Sequence, residues 1–417
     1  MKKDKTNINI VLFHSFERKW FLKNNITIEF YENLETHITK ILCRLIKLSE
    51  FTKYSPKFVF FTAYKEYDNL LLKHRCGFNI NLMYVNLFKL TIPLEISLSL
   101  LNQIFNIKKS EVSIWHLNTY YYLMFDFVVP ILKLKKQKII AHHRGGGFSW
   151  NPIAIPYSIF QYILMLPILL RLVDKIIVQN KYELNRLIKQ YMISPNKIVW
   201  IPNGIDIKLF KPLPENERNI LRKKFGFNED EFVILYVGRI TKGKGILKLP
   251  EIVEKLINEY NAKKIKFFII GDGDDKEKLI NILKEKKLLD YVKFSEGFIN
   301  DINELIIHYN VGDIMVHLNT NPKFEGSPNV VLEAQACGLP VVGFDIPGVQ
   351  DSIIDGKTGF LIKNKDYNDY VKKLNVVYTN KKLHNTMKIE ARDNIKKNFN
   401  IDDIIEKYIE VYKNVHL

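Results

Sequence analysis

Cysteine is scarce in this chain: Cys43, Cys76 and Cys337 are the only three in 417 residues. They are widely spaced, with no CxxC pair and no histidine-rich partner, so neither a disulfide framework nor a structural zinc is expected, and a reducing compartment fits. There is no low-complexity tract, and the composition is that of a folded soluble protein. The first apolar run, Ile8 to Phe13, is too short for a signal peptide and reads as a strand. No helix-turn-helix, zinc-finger or RNA-binding pattern is present, which argues against a nucleic-acid partner despite the formal net charge of +17.

Acidic residues are scarce in one half only. Residues 1–203 hold 28 Lys+Arg against 13 Asp+Glu, a surplus of 15, whereas the remainder holds 34 against 32. The second half is as lysine-rich as the first yet balanced, so the asymmetry points to an anionic partner for the first half, either a membrane surface or a phosphate-bearing acceptor. Charge is missing altogether from Asn151 to Leu170. That stretch is long enough to test as a membrane span, but Pro156 and Pro167 interrupt it and it lies between a glycine loop and a strand. A buried or half-buried helix is the expectation. Leu82 to Leu101 is similarly apolar, and the two stretches together could form a face lying on a bilayer.

At this length two domains of about 200 residues each are expected. Candidate strands in the first half are Ile8–Phe13, Phe58–Thr62, Val112–Leu117, Lys138–His142, Lys175–Gln179 and Lys197–Ile201. In the second half they are Phe232–Val237, Phe267–Ile270, Val292–Phe294, Ile314–Leu318, Val341–Phe344 and Phe360–Ile362. Runs rich in Ile, Val and Phe separated by crossover-length segments indicate α/β domains with parallel sheets buried on both faces. Pro202, Gly204, Pro212 and Pro214 break regular structure and mark the join. The boundaries read as 1–203 and 204–397, with an amphipathic final helix over 398–417 carrying Ile401, Ile404, Ile405, Tyr408, Ile409, Tyr412 and Val415 mostly on one stripe.

The most informative stretch is FEGSPNVVLEAQACGLPVV, residues 324–342. Ser327 suits an N-cap, Pro328 the first helical position, Gly338 the far end, and Pro340 forbids continuation. Glu325 then sits in the loop before the helix and Glu333 about one and a half turns in. Helix-dipole complementarity alone would explain one glutamate there. Two carboxylates beside unpaired N–H groups, however, suit a ligand with both hydroxyls and phosphate. Upstream, VGRITKGKG follows a strand with Arg239 and Lys244 five apart, a bidentate fork and a point charge suited to a diphosphate; a solvated basic turn is the plain alternative. AHHRGGGF puts His142 and His143 at another strand end, where only one of the two can look into a given cleft. In GDGDD, Asp272 and Asp274 read as a strand-end turn rather than a metal site.

E-G-S-P-N-V-V-L-E-A-Q-A-C-G-L-P-V-V resembles the E-x7-E signature of the retaining, GT-B-fold glycosyltransferases of family 4 (glycosyltransferase group 1 type). G-R-x-x-x-x-K-G and the segment IPNGIDIKLFKP are similar to two further stretches of that family. The resemblance covers most of residues 195–417. It implies two Rossmann-like domains facing across a cleft, the first binding acceptor and the second the nucleotide-sugar donor, with the last helix crossing back to the first domain. It implies transfer of a hexose-type sugar from a nucleotide diphosphate sugar to an acceptor hydroxyl, with retention, the acceptor being a lipid-linked or polysaccharide precursor. Arg239 and Lys244 would hold the diphosphate, Glu325 the sugar hydroxyls, Glu333 the ribose, and His143 (His142 as the alternative) the transferred sugar. Gly238, Gly271, Gly326, Ser327, Pro328, Asn329 and Val330 would line the donor site, and Asn203 and Gly204 would shape the cleft loop. No cofactor or metal is implied. A cytoplasmic protein, peripheral on the cytoplasmic face of the membrane, is the matching expectation. Two rival readings are a sugar-nucleotide epimerase on the same fold and a non-catalytic basic protein that binds membrane or nucleic acid. His14-Ser15-Phe16-Glu17, after the first strand, departs from the family by lacking its glycine pair, which leaves the acceptor side least specified.

Overall fold

The computed structural model describes residues 6–12, 27–33, 37–48, 54–62, 64–85, 96–144, 155–297, 299, 301–321, 326–363 and 365–416. Two compact units emerge. One comprises Met1–Pro202 with Ile404–Leu417, the other Asn203–Asp403.

The first unit is built on eight strands: β1 Thr6–Leu12, β2 Tyr54–Thr62, β3 Leu71–Lys73, β4 Asn79–Tyr84, β5 Ile114–Asn118, β6 Lys138–His143, β7 Lys175–Val178 and β8 Ile198–Trp200. Their order in the sheet is β3-β4-β2-β1-β5-β6-β7-β8, parallel throughout except for the β3–β4 hairpin. The sequence reading missed β3 and β4. β3 is only Leu-Leu-Lys and β4 carries two Asn and a single β-branched residue, and β4 joins a longer apolar stretch that hides its end.

Period-two alternation sorts the central strands. Trp115, Leu117, Ile139 and Ala141 face a core shared with the helices Leu98–Phe105, Leu123–Leu134 and Ile155–Leu172. His116 and His142 face the other way, where Tyr408 and Tyr412 of the final helix, Ile401–His416, lie against them. The final helix is thus part of the first unit from Ile404 onward, and its stripe from Ile401 to Val415 is buried.

Two expectations need correction here. Cys43 and Cys76 are bonded to one another, with their sulfurs 2.10 Å apart. Cys43 lies on the helix His37–Leu45 and Cys76 in the turn between β3 and β4, so the pairing depends on the hairpin that the sequence reading did not see. His74 lies beside them, its Nδ1 accepting the Cys76 N–H at 3.1 Å. Nor do the two prolines break the apolar stretch. Pro156 falls in the first turn of Ile155–Leu172, and a π-helical stretch, Gln161–Met165, directly precedes Pro167's turn, the Leu166 N–H donating to the Gln161 carbonyl.

The second unit has six parallel strands: β9 Phe232–Val237, β10 Ile265–Ile270, β11 Val292–Phe294, β12 Ile314–His317, β13 Val341–Phe344 and β14 Gly359–Ile362, in the order β11-β10-β9-β12-β13-β14. All six were legible as apolar runs bounded by turn residues. Its foundation includes a buried cluster in which Asp313, just before β12, accepts from Arg218, Arg222 and the Val233 N–H. Burial pushes the Asp313 carboxyl up, but the two guanidiniums outweigh it and hold the group below the usual range.

Candidate functional site

In a doubly wound sheet the ligand end is where parallel strands finish. In the second unit, β9 and β10 run side by side to Val237 and Ile270 and are each followed by a glycine. Gly238 has φ +149 and Gly271 φ +143, in a region that side chains avoid. The Gly238 N–H donates to the Ile270 carbonyl at 3.0 Å, and a Cβ on Gly271 would come within 2.1 Å of the Gly238 carbonyl oxygen. The two backbones therefore pass closer than any other residue allows, keeping the strand ends open.

Beyond Gly238, Arg239 is exposed; its carbonyl accepts from the Tyr236 hydroxyl at 2.9 Å. Ile240 donates to Asp272 and accepts from Asp275, stitching the basic loop to the turn after β10. Within that turn the Asp272 carboxylate accepts the Gly273 N–H at 2.9 Å. Lys242–Lys244 form a single 3₁₀ turn that ends on Gly245 at φ +77, where a Cβ would meet the Leu318 carbonyl at 2.0 Å. Lys244, half-buried, is thereby brought over the end of β12. Three strand ends and one pair of cations converge.

The helix Asn329–Ala336 starts from the loop that follows β12. It begins one residue later than its sequence suggests: Pro328 occupies the cap position, and Ser327 lies outside the helix. The reason is Asn203. Its N–H donates to Ser327 Oγ at 3.2 Å, and its side-chain amide donates to the Ser327 carbonyl and to Asn329 Oδ1, each at 2.7 Å. Ser327 is therefore engaged by the linker instead of capping its own helix, and Asn203 braces the helix start. Gly326, Ser327 and Pro328 are buried, Asn329 is exposed and Val330 half-buried. The far end is held by Arg392, which donates to the Ala336, Phe210 and Ile207 carbonyls at 2.6–2.7 Å, and by Gly338 at φ +79.

Glu333 is half-buried, with Oε2 accepting from the Tyr309 hydroxyl at 2.8 Å. Burial, with Glu333 nearby, holds the Tyr309 hydroxyl far above its ordinary pKa, so it remains a donor. Tyr309 was missed by sequence reasoning, and nothing in its local pattern could have found it. Glu325 lies outside the described residues, as does the loop from His14 to Glu17.

The first unit holds the other predicted residues. His142 is fully buried, its Nδ1 3.1 Å from His116 Nε2. His143 points to the opposite face of the sheet, stacked 5.3 Å from Tyr120 and edge-on to Tyr121, with 4% of its surface exposed. Around Tyr120 and Tyr121 lies a buried cluster that the sequence did not disclose. Glu183 accepts from both hydroxyls and pairs with Arg186 at 2.6 Å. Burial would raise the Glu183 carboxyl, yet His143 and Arg186 bring it down to about 2. Gly204 is buried, next to Ile205, which forms an isolated bridge with Asn400.

Residues 217–394 match the family described as glycosyl transferases group 1, and residues 79–209 match glycosyltransferase family 4. The chain is 31% identical to UDP-Gal:alpha-D-GlcNAc-diphosphoundecaprenol alpha-1,3-galactosyltransferase of Escherichia coli, over 54% of this chain and 56% of that one. It is 26% identical to N-acetyl-alpha-D-glucosaminyl L-malate synthase of Bacillus anthracis, again over 54% and 56%. The chain thus spans about half the length of these curated relatives. Sucrose-phosphate synthase from Thermosynechococcus elongatus shares the fold, with a TM-score of 0.72 over 99% of both chains at 16% identity.

Proposed function

We propose that this chain, which belongs to the family-4 glycosyltransferases of GT-B fold, moves a hexose-type sugar from a nucleotide diphosphate sugar to an acceptor hydroxyl with retention at the anomeric carbon. The observation that carries the reading is the convergence in the second unit. Arg239 and Lys244 sit on a loop clamped to the ends of β9, β10 and β12, and the braced start of the helix Asn329–Ala336 follows β12.

The barrier in such a transfer is positive charge developing on the sugar ring and negative charge on the departing diphosphate. Arg239, Lys244 and the helix N-terminus answer the second with fixed donors that need no reorganisation. Gly238 and Gly271 leave room for the nucleotide. Glu333, aimed by Tyr309, is placed to accept ribose hydroxyls, and Glu325 takes the sugar hydroxyls by the family match. The leaving phosphate accepts the acceptor proton on the face from which it departs, so no protein base is required. Two cations do the work for which other enzymes recruit a metal, and the reading needs none. His143 is assigned to the sugar by resemblance; its place in the Glu183–Arg186 cluster also supports a role in holding β6 rigid. The relatives' names favour a lipid-linked or polysaccharide precursor as acceptor.

Lys244→Ala should lower turnover about a hundredfold or more while the protein stays folded. Nucleoside diphosphate release that depends on added acceptor separates transfer from epimerisation and from binding without turnover. A folded Lys244→Ala protein with unchanged rate would overturn the assignment.

A further inference from the structure

Surface helices turn apolar side chains inward and polar ones outward. Ile155–Leu172 does not. Its inward face is satisfied: Leu166, Leu169 and Leu170 are buried in the first unit's core, the Gln161 amide donates to the Tyr120 and Tyr122 carbonyls and to Asp126, and the Tyr157 hydroxyl donates to Asp126 at 2.7 Å. Its outward face consists of Ile159, Phe160, Ile163, Leu164, Ile168 and Leu172, all between 43% and 74% exposed. Spacings of one and four place them on a single stripe. The other exposed residues of this helix are Pro156 and Arg171, and the Arg171 guanidinium is folded back onto the Pro167 and Tyr191 carbonyls at 3.0 and 2.8 Å.

The neighbouring helix Leu123–Leu134, against which this one packs, continues the surface with Phe127 and Leu134, 44% and 74% exposed. It ends in a basic run, Lys133, Lys135, Lys136 and Lys138, in which Lys136 is exposed, Lys135 is half-buried and Lys133 is paired with Asp174 at 2.7 Å. Six large apolar side chains exposed on one stripe of a single helix are more than a soluble surface normally carries. Eighteen residues would also suffice for a span, but this helix is the crossover between the adjacent parallel strands β6 and β7 and is pinned along one side. It can lie on a bilayer and cannot cross one.

We propose that the outer stripe of Ile155–Leu172, rimmed by Lys135 and Lys136, docks the first unit flat onto an anionic bilayer, the apolar side chains entering the acyl boundary and the lysines meeting acidic headgroups. Charge selects this occupant over a second copy of the chain. The half carrying the stripe has a surplus of 15 positive charges, so pairing two such faces sets like against like, whereas an acidic lipid surface complements them. The proposal goes beyond the transfer reaction and does not depend on it.

The test is flotation of the full chain with vesicles of equal parts phosphatidylglycerol and phosphatidylcholine, and with phosphatidylcholine alone. The unsubstituted protein should float with the acidic vesicles and much less with the neutral ones. Ile163→Ser/Leu164→Ser should lower the bound fraction about tenfold, because apolar area is no longer transferred. Lys135→Glu/Lys136→Glu should make the residual binding insensitive to salt. Ile163, Leu164 and Lys136 are exposed and Lys135 is half-buried, so melting temperatures should match the parent, and a matched melt is the condition for reading the result. Binding unchanged by the serine pair, absence of flotation by the parent, or a dimer that the serine pair dissociates would each overturn the proposal.

Discussion

At the scale of single residues, two buried carboxylates of the first unit are driven in opposite directions by their surroundings. Asp126 is pushed up to about 6 by burial, against the hydrogen bonds from Tyr157 and Gln161 that oppose the shift. Its folded form prefers the proton, so its contribution to stability is greatest below the ordinary value of 3.8 and declines as pH rises through about 6. Glu183 is the reverse: its contribution is complete above 4.5 and is lost as pH falls toward about 2. Asp126→Asn should therefore flatten the decline between 3.8 and about 6 while leaving the acid limb intact, a difference that urea titrations at a series of pH values will read. In the second unit, Tyr309→Phe removes the hydroxyl that donates to the Glu333 carboxylate while keeping the ring. The proposed ribose contact should loosen, raising the donor KM about three- to tenfold with little change in kcat, as expected for a ground-state interaction worth about 1 kcal/mol. Neither Tyr309 nor Asn203 was legible as a partner. The one lies 24 residues from its glutamate and the other 124 from its serine, and only the sheet order brings them together.

At the scale of elements, the open strand ends depend on backbone passing backbone. Gly271→Ala places a methyl 2.1 Å from the Gly238 carbonyl at φ +143, so β9 or β10 must shift. A loss of about 2–4 kcal/mol is expected, together with loss of thermal stabilisation by nucleoside diphosphates. Gly356→Ala is the control: φ is +73, but nothing lies within 4 Å, so it should cost about 1 kcal/mol and leave ligand stabilisation intact. The glycines after β9 and β10 could be read from sequence because a strand followed by Gly is a local signal. The cysteine pair could not, since Cys43 and Cys76 meet only through the β3–β4 hairpin, whose Asn and Lys content disguised it. The helix at 155–172 was legible as apolar but not in its continuity, because two prolines argue for a break that a π-helical stretch removes.

At the scale of the whole molecule, the chain's last residues belong with its first. Tyr408 and Tyr412 are buried against His116 and His142, and the Tyr412 hydroxyl is 2.8 Å from His116 Nδ1. Burial, with Arg144 nearby, lowers His116 to about 3, so it is neutral at pH 7. Tyr412→Ala should cost about 3–5 kcal/mol, the range for truncating a buried aromatic. Limited proteolysis should show that loss as new cleavages before residue 203, with residues 203–403 still protected. The final helix's apolar stripe was legible in sequence; its identification with the earlier unit came from resemblance, and the contacts that secure it are long-range.

The crossing points of the chain are themselves paired: Ile205 donates to the Phe399 carbonyl at 2.8 Å and accepts from Ile401 at 3.0 Å. In connectivity, then, Asn203–Asp403 is an insertion in a larger domain whose two pieces flank it. During synthesis the ribosome releases the inserted domain complete while its host still lacks the helix that seals His116 and His142. The middle domain is thus complete in sequence before the first domain has the residues that bury His116 and His142.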